Sequence, residues 1–143
     1  MVIDDTYNAN PDSTKNAIDV LMEIKGKRKI AILGDMLELG KLSGFYHKNL
    51  GEYVNKKKID VLVCVGEKAK DIVTGVFNKR TKMMCVDSSN CFKDVTNELG
   101  LSEGDVVLVK GSQGARMERV VFELMKDKSK APELLVRQDA RWK

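Results

Sequence analysis

Three polar segments hold the residue types that could do chemistry. The first is DDTYNANPDS, residues 4–13. Its Asp5, Tyr7, Asn8 and Asn10 exceed what the start of a helix requires. Carboxamide and hydroxyl groups here could hold a base or a ribose, and a carboxylate could accept hydrogen bonds from ribose hydroxyls. A plain polar loop ending in a helix cap is the structural alternative. The second segment is GDMLELGKLSGFYHK, residues 34–48. Asp35 and Glu38 follow a glycine, and Met36, Leu37 and Leu39 are apolar in an expected loop, as a plug against a neighbouring domain would be. His47 falls on the next helix. The third is VKGSQGARMER, residues 109–119. An apolar run leads into Lys110, Gly111 and Ser112, then into a helix whose first backbone amides could receive an anion.

Other chemistries find little support. The order GxxxxGK[ST] of a P-loop is absent, and no GxGxxG follows the first strand, which argues against a dinucleotide fold of the usual kind. A Ser-His-Asp or Cys-His scheme would have to use His47, the single histidine of the chain, and nothing in the sequence singles it out for that. Cys64, Cys85 and Cys91 are odd in number and widely spaced, so free thiols in a reducing cytoplasm fit better than disulfides or zinc.

These segments need a scaffold. Apolar runs at Val2–Ile3, 29–33, 60–65, 82–86 and 105–109 read as strands. Helical spacing of apolar residues marks 13–25, 43–56, 67–76, 89–98 and 115–126. Asp12 or Ser13 would cap the first helix, next to Pro11. VLVCV and VVLV are apolar at every position, the pattern of strands buried on both faces. The expectation is α/β: a Rossmann-like, open, mostly parallel sheet of about five or six strands with helices on both faces. Ligands of such sheets bind beyond the carboxyl ends of the strands, where all three polar segments fall. The domain is expected over residues 1–127, with 128–143 as an appended tail.

Composition sets the outer limits. The chain has 143 residues, 43% hydrophobic and 32% charged, which suits one folded domain rather than a disordered chain. No apolar run reaches the ~18 residues of a membrane span, and no leader-like amino terminus is visible. The net charge of +4 is spread out. KGKRK and KKK lack interleaved aromatic residues, so nucleic acid is not an expected partner.

Taken together, IDDTYNANPDST, AILGDMLELG with SGFYHKNLGEYV, and VLVKGSQGARMERVV resemble the carboxyl-terminal domain of the Mur ligases. The likeness covers about residues 2–125, and it is strongest to the branch that handles D-alanyl-D-alanine. The resemblance implies a three-domain, cytoplasmic, ATP-dependent ligase of peptidoglycan precursor synthesis. ATP would phosphorylate the carboxylate of a UDP-N-acetylmuramoyl-tripeptide, and the dipeptide amine would attack the acyl phosphate. It implies ATP and magnesium as requirements of the full-length enzyme, with metal ligands and P-loop on a central domain that this sequence does not contain. Met1 would then mark the junction with that domain, and the isolated domain would not ligate. By resemblance, Asp5, Tyr7, Asn8 and Asn10 approach the adenosine of ATP. Asp35, Glu38, Leu39, His47, Lys110, Gly111 and Ser112 lie around the dipeptide. Gln113 stands where that family often has arginine. A free-standing nucleotide- or peptide-binding module, or a sibling ligase adding a single amino acid, remain the alternatives.

Overall fold

A computed structural model describes residues 1–142. Five strands form one sheet in the order β1-β5-β2-β3-β4, every pair parallel. They are β1 (Val2–Asp5), β2 (Lys29–Gly34), β3 (Val61–Val65), β4 (Lys82–Val86) and β5 (Val106–Lys110). The three central strands, β5, β2 and β3, are buried almost throughout, as their unbroken apolar runs require.

Alternate strand residues feed two cores. On one face, Ala31, Leu33, Leu62, Cys64 and Leu108 pack against α1 (Pro11–Glu23), α2 (Ser43–Lys57) and the tight turns of Ala69–Gly75. On the other, Ile30, Ile32, Val63, Val107 and Val109 meet Phe92, α3 (Lys93–Leu99) and α4 (Glu118–Leu124).

Local chemistry shifts several expected boundaries. The cap of α1 is Asn10, not Asp12 or Ser13. Its side chain accepts from Ser13 N–H at 2.8 Å, Ser13 Oγ accepts from Asn10 N–H at 3.1 Å, and Pro11 occupies the first turn. The reciprocal pair satisfies two backbone donors, which neither single cap would do. Residues 69–75 wind as a 3₁₀ helix rather than an α-helix. A side chain at Gly51 of α2 would strike the Ile72 carbonyl, so the two backbones touch. The expected helix at 115–126 begins only at Glu118, because Arg116 adopts left-handed backbone (φ 53°).

Residues 128–142 do not trail away. After a 3₁₀ turn and the short α5 (Ala131–Leu134), Ala131 and Leu135 enter the second core. The chain then crosses back to the carboxyl end of the sheet, placing Arg137 beside Thr6 and Tyr7.

Candidate functional site

The strand order puts β1, β5 and β2 side by side, so the three polar segments leave the sheet as neighbours. Register makes the first connection. Asp5 is the β1 partner of Lys110, and the Lys110 ammonium donates to Asp5 Oδ2 at 2.7 Å and to the Asn8 carbonyl at 2.9 Å. Its side chain is 3% exposed against 42% for Asp5. Lys110 thus fastens the first segment to the third and presents no free charge to a ligand.

Ser112 makes the second connection. Its hydroxyl donates to the Ala9 carbonyl at 3.1 Å and accepts from Leu37 N–H at 2.8 Å. Its own N–H donates to the Asp35 carbonyl at 2.9 Å. One buried serine therefore joins all three segments. Gly34 and Gly111 allow this convergence. A Cβ at Gly34 would meet Met117 Sδ at 2.7 Å, and one at Gly111 would lie 3.2 Å from Gly34 Cα. At Gly111 the lack of a side chain permits this close approach.

His47 is fully buried in α2. Nε2 accepts from Met36 N–H at 3.0 Å, and Nδ1 lies 2.8 Å from the Ser43 carbonyl. The ring is therefore neutral with its proton on Nδ1, and it holds the second segment from below. Asp35 also faces inward, accepting from Ala69 N–H at 2.7 Å. Its carboxylate fills the space where a Gly66 side chain would project.

A smaller set borders an opening between these loops. Asn8, Asn10, Glu38, Leu39, Ser112 and Gln113 line a cleft of about 510 Å³, walled also by Leu37 and Trp142. Residues assigned by resemblance to adenosine and to dipeptide thus share one cleft. Asn8 and Asn10 already spend their carbonyl oxygens on Ala9 and Ser13, leaving their amide hydrogens to donate. Glu38 stands on the lip with an exposed carboxylate and left-handed backbone (φ 61°), a conformation that a non-glycine residue holds only where its surroundings impose it. Tyr7 lies outside this cleft, 73% exposed, lining a neighbouring hollow with Arg137 and Trp142.

The sequence reading missed the group that closes this end. Glu118 is buried between two arginines, Arg116 Nε at 2.5 Å and Arg137 at 3.2 Å. Arg137 also donates to the Thr6 and Tyr7 carbonyls, and the Trp142 ring lies 5.2 Å from the Arg116 guanidinium and 5.5 Å from that of Arg137. RQDARWK contains the arginine and tryptophan, but no spacing rule pairs them with a glutamate nineteen residues upstream in α4.

Among the described residues, no three His, Cys, Asp or Glu side chains gather to hold a metal ion. No helix among them is long and apolar enough to cross a membrane.

A parallel sheet whose β1, β5 and β2 loops build one polar cleft defines a Rossmann-like α/β domain. The family model "Mur ligase, glutamate ligase domain" matches residues 1–113, and the chain belongs to that family. It is similar to UDP-N-acetylmuramoyl-tripeptide–D-alanyl-D-alanine ligases. That of Haemophilus influenzae is 37% identical over 134 residues, covering 91% of this chain and 28% of the relative. That of Buchnera aphidicola from Acyrthosiphon pisum is 35% identical over 130 residues, with the same two coverages. Among solved structures, the MurF ligase of Thermotoga maritima in complex with ADP is 33% identical, with a TM-score of 0.70, over 90% of this chain and 29% of that one. The chain thus spans under a third of the length of these relatives.

Proposed function

We propose that this chain is the carboxyl-terminal part of an ATP-dependent carbon–nitrogen ligase that joins D-alanyl-D-alanine to a UDP-N-acetylmuramoyl-tripeptide in the cytoplasm. The observation that carries the reading is the meeting of DDTYNANP, GDMLELG and KGS around the Ser112 hydroxyl. The similar full-length ligases support it by name.

In this reading the domain binds and orients. The free amide hydrogens of Asn8 and Asn10 and the exposed Tyr7 ring face adenosine. The Glu38 carboxylate attracts the dipeptide ammonium, and Leu39 offers an apolar wall to its methyl groups. Lys110, His47 and Gly111 act one layer behind, fixing the loops that carry those groups. ATP's phosphates and magnesium require a cradle and ligands, and since the order GxxxxGK[ST] does not occur in this sequence the reading assigns them to a central domain. Closure of the present domain over that one would exclude water from the acyl phosphate, and this domain by itself would not ligate.

An amide NMR titration tests the assignment. D-alanyl-D-alanine is expected to shift residues 37–40 and 112–114, and ATP residues 7–10. A response to L-glutamate but not to the dipeptide would move the reading to a sibling ligase. Ligation catalysed by this chain alone would overturn the division of labour.

A further inference from the structure

Cys64 and Cys85 are direct register partners on adjacent strands β3 and β4. Parallel neighbours lie about 4.8 Å apart, inside the Cα separation of about 4.4–6.8 Å that a disulfide spans. The two side chains share a face. Cys64 belongs to the core beneath α2, whereas Met84 and Val86, which flank Cys85, belong to the opposite core. Because β4 ends the sheet, nothing covers Cys85: it is exposed while Cys64 is sealed. Cys91 points elsewhere, 3.5 Å from Ser88 Oγ and packed on the opposite core.

The neighbouring Cys64 sulfur, more than any charge, favours a thiolate at the outer position. Lys70 stands over this edge, held by Glu67 at 3.0 Å and Asp87 at 2.7 Å. The adjacent Cys64 thiol lowers the Cys85 pKa to about 7 against the opposing effect of burial, and Lys70 adds to the lowering. The Cys85 sulfur, and then burial, push the Cys64 thiol well up. Cys85 is therefore the sulfur placed to attack first; Cys64 stays a thiol until the mixed disulfide forms at Cys85, and it gives up its proton to the departing thiolate as it attacks.

We propose that Cys85 and Cys64 form a thiol–disulfide exchange site for low-molecular-weight disulfides, with Cys85 attacking and Cys64 resolving. Cys85 sulfur attacks the small disulfide, whose S–S bond breaks and releases one thiol. Cys64 sulfur then attacks Cys85 sulfur in the mixed disulfide, releasing the second. The two cysteines lose two electrons and two protons, and the small disulfide gains them as two thiols. The product is a bond across β3 and β4, at the opposite edge of the sheet from β1.

The probe is 5,5′-dithiobis(2-nitrobenzoate), added to the folded Cys91→Ser chain. The expected result is release of about two equivalents of coloured thiolate, a protein mass lower by two hydrogens, and a Cys64–Cys85 crosslinked peptide after digestion. Cys64→Ala is expected to release one equivalent from this pair and to keep the adduct on Cys85. A single equivalent with the adduct retained in the Cys91→Ser chain would overturn the exchange, as would no release before unfolding. Both outcomes can be read from the Cys91→Ser chain alone, even if Cys64→Ala folds poorly.

Discussion

Arg137 and Glu118 form an ion pair at 3.2 Å in which the side chains are only 4% and 2% exposed. Arg137 holds left-handed backbone to make it (φ 59°), as does Arg116 on the other side of the carboxylate (φ 53°). Two non-glycine residues in this region cost about 1–3 kcal/mol each, so the contacts they secure must offset that. Those contacts tie the carboxyl-terminal segment to the backbone of Thr6 and Tyr7, at the mouth of the first polar loop.

Arg137→Ala is expected to lower unfolding free energy by about 3 kcal/mol in urea titration, because a buried carboxylate loses one of two cationic partners. Arg137→Lys should recover only part of this, since an ammonium lacks the fork that serves Glu118 and two carbonyls together. An Arg137→Ala chain as stable as the parent would show that the strap contributes nothing.

Ser112→Ala removes the hydroxyl that joins Ala9 and Leu37. It leaves Leu37 N–H without its acceptor, a cost of about 1–3 kcal/mol. Amide resonances of Leu37 and Ala9 should shift together, whereas those of β4 should not. Independent movement of the two loops would count against a shared serine staple.

His47→Ala leaves the buried Met36 N–H unpaired beside a cavity, and a loss of about 2–4 kcal/mol is expected. Long-range nitrogen–proton correlation spectra should show Nδ1 protonated and Nε2 bare. The opposite tautomer would contradict the bond to Met36.

Acid stability should respond to Asp105. Hydrogen bonding to Arg28, at 2.6 and 2.9 Å, and to Ser102 N–H holds its carboxyl below the ordinary range. A lowered native pKa gives stability that is complete above the unfolded value of about 3.9 and is lost as pH falls through the native one. Asp105→Asn should flatten the stability–pH curve below about pH 4 and leave its slope near neutrality unchanged. Parallel acid limbs in the two proteins would refute this.

Much of the scaffold was legible in the sequence because strands buried on both faces carry unbroken apolar runs. Val61–Val65 and Lys82–Val86 stand within a residue of their expected limits. The order β1-β5-β2-β3-β4 was not legible, since it depends on pairing between distant segments. The same limit applied to the site. In the sequence Lys110 offers charge at the end of a strand, whereas His47 is placed near the ligand only by the family resemblance. Only three-dimensional placement shows that Asp5 and Met36 N–H occupy them. Asn8, Asn10, Glu38 and Leu39 could be placed near the cleft because they lie just beyond strand ends, where parallel sheets bind ligands. Arg137 left no trace, since its partners are carbonyls and a glutamate far away in the chain.

Among the described residues β1 pairs only with β5, so this strand waits for β5 before it can join the sheet. During synthesis β2, β3 and β4 can assemble as each emerges, while Val2–Asp5 stay unpaired until Val106–Lys110 leave the ribosome. Long-range pairing of this kind is slow, because loop closure comes before the contacts that reward it. The cleft is thus the last part of the domain to be completed. A nascent chain stopped short of Val106 would carry much of the sheet, but not the pairing on which the cleft rests.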